Sequence, residues 1–301
     1  MAAQLGYGQV QRSAMNWPFF VASELDFFGD EGLIVEATTF THAPEPVSGL
    51  IDGSLDIINV IPDVALIEMT KGMPLCVIAN TNPRAQYRLM VQSGIEDFAE
   101  LKDKKIGVND GRSAEALILN RLLRQKGLTP DGYELVATGP PPRRCEKLKQ
   151  GSIEATMVTQ PFDFVLEDAG FRCLASSLEI VPNYPFTVCV ARREDSAREE
   201  LALFLRALNR TWLWLCDRSN RKRATESLSR YTETPEKQAE KTYDLYVASP
   251  SPPSLVPTED GVATVLELLA ESGRLSFPLP RAKRFIDERY FKKAIGNKKQ
   301  F

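Results

Sequence analysis

Leu50-Ile51-Asp52-Gly53-Ser54-Leu55-Asp56-Ile57 decides how the chain is read, because its pattern returns as Leu148-Lys149-Gln150-Gly151-Ser152-Ile153-Glu154-Ala155. In each copy a helix ends, a glycine turns the chain and an acidic residue precedes a buried strand. Each strand then runs on to a proline, Pro62 in the first copy and Pro161 in the second. The two glycines are 151 − 53 = 98 residues apart, which is about the size of a small α/β lobe. A repeat on that scale points to a duplicated architecture.

Outward from the first copy, strand-like and helix-like runs alternate, the pattern of an α/β sheet. Strands are expected at Gln4 to Val10, Leu33 to Phe40, Leu55 to Val60 and Leu75 to Ala79. Helices are expected at Phe19 to Phe28, Pro44 to Asp52 and Val64 to Thr70, with Gly32 stopping the first of them. Around the second copy, Lys105 to Val108 and Tyr133 to Val136 read as strands. Ser113 stands where an N-cap would start the helix Ala114 to Gln125, and the turn Gly139 to Pro142 leads into a helix through Lys149. Phe186 to Val190 is a strand that returns the chain to the first lobe. Leu201, Phe204, Leu205, Leu208, Trp212 and Leu215 then form an apolar helical stripe. Pro250 to Pro257 reads as a turn, and Val262 to Leu269 as a last amphipathic helix closed by Gly273. The expected division is residues 1–92 with 190–301 for one lobe and 93–189 for the other.

Composition narrows the function. The chain has 301 residues, 43% hydrophobic and 26% charged, as a globular protein with a sizeable core has. A formal net charge of −3 gives no basic footprint for nucleic acid. Lys292, Lys293, Lys298 and Lys299 read as a solvated basic end. No run approaches the ~20 apolar residues that span a bilayer, so direct membrane insertion is not expected. Met1 to Val10 lacks the cationic and apolar regions of a secretory signal, so the chain as written reads as cytoplasmic, or as periplasmic if a leader has been removed. Cys76, Cys145, Cys173, Cys189 and Cys216 suit reduced, packed thiols. With His42 as the single histidine, a His-based metal cage or a Ser-His-Asp triad is hard to assemble, and no metal or cofactor is expected.

The order of elements resembles the type II periplasmic-binding-protein superfamily, in the branch holding sulfonate-, nitrate- and thiamine-precursor-binding proteins and the thiamine-pyrimidine synthases. The resemblance is carried by Phe19 to Phe28 with Asp30 to Glu36, by Leu50 to Ile57, by Thr70 to Leu75 and by Glu100 to Val108. Leu268 to Gly273 and Phe285 to Phe291 match its closing segment. It implies a two-lobed α/β fold with crossing strands and a ligand held in a cleft between the lobes. It also implies a solute-binding protein of the ABC-transporter type, closing on a small organic molecule and meeting a permease. The synthases of this branch use a lysine Schiff base to pyridoxal phosphate with a histidine nearby; aligned on Leu55-Asp56-Ile57, those places hold Val60 and Val64. Their cysteine-rich iron run is missing too, which argues against that chemistry.

Ligands of open α/β sheets sit beyond the carboxyl ends of the strands. That rule selects Asn16-Trp17-Pro18, Phe40 to Ala43, Ile61-Pro62-Asp63, Asp110 to Ser113 and Thr159-Gln160-Pro161. Arg112 and Ser113 with the free amides of a helix start make an anion seat, or Ser113 only caps its helix beside a solvated Arg112. Trp17 stacks on a ring or packs within its lobe. His42 is a cleft residue or an ordinary loop residue. Pro62, Asp63 and Gln160 belong to strand-end loops, and Tyr184 reaches the site from the hinge side. Arg143 and Arg144 line the rim or form a solvated helix start. The expected ligand is a small anionic or aromatic molecule. The alternative is a cofactor-free lyase or decarboxylase on the same fold, with His42 or Asp63 as acid or base.

Overall fold

The computed structural model describes residues 2–10, 13–82, 84–194, 198–247 and 254–295. The chain divides into two compact units, residues 1–83, 184–270 and 274–301 in the first and 84–183 with 271–273 in the second. The first division therefore falls before Arg84 rather than after residue 92, and the second before Tyr184 rather than after 189. The reason is strand pairing, described below for each unit.

The first unit opens with β1 (Ala3–Val10), α1 (Trp17–Glu24), α2 (Phe27–Asp30), β2 (Leu33–Phe40), α3 (Pro44–Asp52), β3 (Ile57–Val60), α4 (Pro62–Thr70) and β4 (Leu75–Asn82). Prolines in the first turns of α1, α3 and α4 pre-set φ where no amide partner is needed. The single helix expected over Phe19 to Phe28 is broken in two, because Asp26 adopts a left-handed φ of 55°. In the second unit β5 (Arg88–Val91), β6 (Lys105–Val108), α5 (Ala114–Gln125), β7 (Glu134–Ala137), α6 (Pro141–Lys149), β8 (Ala155–Val158), α7 (Phe162–Asp168) and β9 (Arg172–Ser176) follow. The chain returns to the first unit with β10 (Thr187–Arg192), α8 (Glu199–Cys216), α9 (Arg221–Thr232), α10 (Glu236–Val247), α11 (Glu259–Glu271) and α12 (Arg289–Ile295). The expected turn Pro250 to Pro257 lies partly outside the described residues, as do Lys298 and Lys299.

Each unit is built on a five-stranded sheet, in the order β2-β1-β3-β10-β4 in the first and β7-β6-β8-β5-β9 in the second. In both, the first three strands are parallel and the fourth runs against its neighbours. β5 pairs with β8 and β9, which is why Arg88–Val91 belongs to the second unit. β10 pairs with β3 and β4 and so belongs to the first. The core of the first unit gathers Leu5, Tyr7, Phe19, Phe28, Ile57 and Phe204 around the α8 stripe, with the Tyr7 and Phe19 rings stacked at 4.0 Å. The second holds Met90, Cys145, Leu148, Ile153, Val158 and Leu166. All five cysteines are unpaired.

The two copies of the repeated sequence occupy the same place in their sheets. Gly53 and Gly151 take left-handed φ values of 84° and 69° after α3 and α6, a conformation glycine adopts without penalty. The Asp56 carboxylate accepts the Gly6 amide at 2.8 Å, and the Glu154 carboxylate accepts the Lys105 amide at 2.9 Å.

Candidate functional site

The carboxyl ends of β1, β2, β3 and β4 share one edge of the first sheet, with the amino end of β10 among them. There the apolar strands finish in amides and hydroxyls. Asn59 Nδ2 donates to Asn16 Oδ1 at 2.8 Å, the Thr81 hydroxyl donates to Asn59 Oδ1, and the Thr81 and Thr187 hydroxyls share a 2.8 Å bond. Asn16 Nδ2 donates to the Val10 carbonyl at 2.9 Å, and Gln9 Nε2 to Thr39 Oγ1 at 3.1 Å. Gln9, Asn16, Asn59, Thr81 and Thr187 are buried, Gln9 and Thr81 being only 4% exposed. Burial also pushes the neighbouring Tyr7 phenol well above its usual pKa. Ser13 Oγ, Trp17 Nε1 and Asn82 Nδ2 are buried in this unit too, and no hydrogen-bond partner faces them among the described residues. Buried polar groups cost stability unless paired, so a cluster gathered at one sheet edge is not what core packing alone would select.

In the second sheet the corresponding edge carries charge. Glu115, in the first turn of α5, is ion-paired with Arg144 of α6 at 3.0 Å, and both are nearly inaccessible. Arg144 also donates to the Gly139 and Met157 carbonyls, and Glu115 accepts the Asn109 amide. Arg144, expected at a rim or a solvated helix start, is 2% exposed because this pairing draws it inward. At the amino end of β5, Arg88 bonds Asp163 at 3.2 Å, Glu167, and the Cys173 sulfur at 3.2 Å. Gln160 Nε2 donates to Asp163 Oδ2 at 2.9 Å and to the Gln86 carbonyl at 3.1 Å. Burial raises the Asp163 pKa in spite of the bonds from Gln160 and Arg88.

The sequence-selected residues fall into distinct settings. Trp17 is fully buried in the first core with Tyr243 edge-on at 6.1 Å, so its ring is packed rather than offered as a platform. Pro62 and Asp63 form the buried first turn of α4, and Asp63 pairs with Arg274 at 3.3 Å. His42 is exposed after β2, its amide 3.3 Å from Glu45 Oε2. Tyr184 is fully buried just before β10. In the second unit Arg112 is exposed and its amide donates to Asp110 Oδ1. Ser113 occupies the N-cap position of α5, but its hydroxyl donates to the Asp110 carbonyl at 2.7 Å instead of capping the helix. Gln160 is fully buried. β6 and β8 are neighbours, so the loops bearing Arg112 and Gln160 leave the same edge. Sequence reading missed Gln9, Asn59, Thr81, Thr187, Arg88, Gln86 and Asp163. A visible signal was the amides ending apolar strands, as in Ile57-Ile58-Asn59-Val60 and Ala79-Asn80-Thr81-Asn82.

Two α/β units with this shared strand order and polar carboxyl edges define the type II periplasmic-binding-protein fold. The chain belongs to the NMT1-like family, whose model matches residues 2–229. A Brucella abortus (strain 2308) chain described as a binding protein is 32% identical over 186 residues, 61% of this chain. The match spans 57% of that relative's length. Among solved structures, the periplasmic nitrate-binding protein NrtA from Synechocystis PCC 6803 is similar with a TM-score of 0.82 at 15% identity, over 98% of this chain and 88% of that one. The periplasmic aliphatic sulphonate-binding protein SsuA from Escherichia coli gives 0.74 at 19% identity, over 95% and 92%. No helix among the described residues is long and apolar enough to cross a membrane. No group of three or more His, Cys, Asp or Glu side chains among them is placed to hold a metal ion.

Proposed function

We propose that the protein is a solute-binding protein of the ABC-transporter type, capturing a small organic molecule with an anionic or aromatic group and passing it to a membrane permease. The polar loops beyond the strand ends hold the molecule, and its tighter affinity for their liganded conformation is the recognition event. The observation that carries this reading is the buried amide and hydroxyl cluster of Gln9, Asn16, Asn59, Thr81 and Thr187 at the carboxyl edge of the first sheet. The unpartnered donors at Ser13, Trp17 and Asn82 suit the acceptor oxygens of such a ligand, Trp17 acting through its indole N–H. Arg112, with the first amides of α5 and Ser113, supplies positive potential in the second unit. Gln160, Pro62, Asp63, His42 and Tyr184 complete the assignment.

The test is a thermal-shift screen against alkyl sulfonates, aromatic acids and thiamine precursors, with each hit titrated by calorimetry and recovered for mass spectrometry. A binding protein returns the ligand unchanged, and its Tm climbs with ligand concentration as linkage requires. Ligand recovered in altered form would replace this reading with an enzymatic one. If Arg112→Ala and Trp17→Ala both left affinity unchanged, the assigned residues would be wrong.

A further inference from the structure

Three buried acceptor oxygens in the second unit have no well-formed hydrogen bond among the described residues, although the Phe164 amide lies close to the Asp163 carboxyl: Gln86 Oε1, Gln160 Oε1 and Asp163 Oδ1. They belong to one cluster, because Gln160 Nε2 bonds both the Gln86 carbonyl and Asp163 Oδ2. Gln160 and Asp163 are 0% exposed and Gln86 is 8% exposed. The side-chain donors of Gln160 and Arg88 are already committed. The Gln160 amide has spent both hydrogens on those two oxygens. Flipping it would turn its oxygen toward two other acceptors, so its orientation is fixed by the network. Arg88 uses Nη1 on Asp163 Oδ2, Nη2 on Glu167 and Nε on the Cys173 sulfur, with Phe164 5.6 Å from its guanidinium. One guanidinium thus faces two carboxylates. Arg88 and Glu167 are partly exposed, so solvent reaches the cluster at their side.

We propose that this cluster receives a primary ammonium or amidinium group of the ligand. Acceptors without hydrogens of their own select a group rich in N–H, and the excess carboxylate selects a positive one. The inference rests on the binding-protein reading and deepens it. The cluster leaves the same sheet edge as the Arg112 loop, so the ligand class becomes a zwitterion, its anionic end toward Arg112 and Ser113 and its cationic end toward Asp163.

Matched ligand pairs test it: 2-aminoethanesulfonate against ethanesulfonate, and 4-aminobutyrate against butyrate, titrated by calorimetry into the whole chain. The ammonium member should bind at least tenfold more tightly. That preference should fall to threefold or less in Asp163→Asn and in Gln86→Met, each checked for folding by circular dichroism. Gln86→Met answers alone if Asp163→Asn does not fold. Equal affinity within the pairs, or a preference that survives the variants, overturns the proposal while leaving the binding-protein reading intact. Should neither member of either pair bind, methylammonium chloride against sodium chloride at equal ionic strength decides, read on the side-chain amide NMR signals of Gln86 and Gln160. Shifts specific to methylammonium uphold the cluster's role, and their absence overturns it.

Discussion

In the first unit a Cβ on Gly8 would stand 2.6 Å from Leu55 Cδ1, and in the second a Cβ on Gly107 would stand 2.5 Å from Ile153 Cδ1. Asp56 fastens the Gly6 amide as Glu154 fastens that of Lys105. These contacts repeat at matching places in sheets of matching order. The carboxyl edges do not repeat. The first gathers mostly neutral amides and hydroxyls beside one ion pair, Asp63 with Arg274, whereas the second concentrates Arg88, Asp163, Glu115 and Arg144. The framework is held by backbone geometry and aliphatic packing, which tolerate little change. Side chains beyond the strand ends bear less of that packing, so they are free to take on different chemistry in each unit.

The sharpest way to break the comparison is through the buried ion pair. Arg144→Met leaves Glu115 buried without its partner, and removing one member of such a pair costs about 3–5 kcal/mol. The loss should be confined to the second unit. Hydrogen exchange followed by mass spectrometry should find peptides over β6 and β8 losing protection while those over β1 and β3 keep theirs. Equal loss in both would mean that the units do not unfold separately. Replacing Arg144 and Glu115 together by apolar residues of similar volume should recover most of the stability.

Next come the shared glycines. Gly8→Ala and Gly107→Ala each overpack a sheet face, at about 1–3 kcal/mol. If the repeat is structural, the two should destabilise their own units by similar amounts in denaturant titrations. Both added carbons meet further close neighbours, Pro46 and Ile58 at 3.2 Å in the first unit and Thr138 Oγ1 at 3.1 Å in the second, so neither site has room to spare. A neutral outcome at either position would show that the aliphatic neighbour there turns aside and that the match is superficial. At the first unit's edge, Asn59→Leu strands Asn16 and Thr81 for about 1–2 kcal/mol. Ligand affinity should fall with it, whereas Gly8→Ala should leave affinity alone.

Much of this framework was legible in the sequence because it is written locally. Leu33–Phe40, Pro44–Asp52, Lys105–Val108 and Ala114–Gln125 fall where periodicity, prolines and glycines put them. α9 was missed because the face it buries is Ala224, Thr225, Ser227, Leu228 and Tyr231, too polar to make an apolar stripe. β5 was missed because its reason for being a strand is its pairing with β8 and β9, far along the chain. The site was less legible for the same reason. Loops could be placed by the strand-end rule, and Gln160 lies in one of them. Its setting depends on partners such as Arg88, 75 residues from Asp163 in sequence, and no local pattern encodes that distance.

The smallest effect separates the units by pH. Burial works to raise the Asp56 pKa, but bonds from Arg198 and the Gly6 amide prevail and hold it below the usual carboxylate value. Asp56 therefore stabilises the first unit above the unfolded carboxyl pKa of about 3.9, and that contribution is lost as pH falls through the lowered folded value. Asp163 runs the other way. Its folded pKa is raised by burial, so the folded chain holds that proton more tightly than the unfolded one. Its contribution is fully present below the unfolded value and is lost as pH climbs through the raised one. Between about pH 5 and pH 3 the first unit should thus weaken relative to the second, by less than about 1 kcal/mol for Asp56 because its ion pairs are partly exposed. Exchange rates corrected for intrinsic pH dependence should show β1 and β3 opening before β6 and β8. Asp56→Asn should remove much of that difference, and Asp163→Asn should instead reduce the second unit's gain on acidification. If the second unit opened first in the unmodified chain, the opposed settings of these two carboxylates would not govern its acid response.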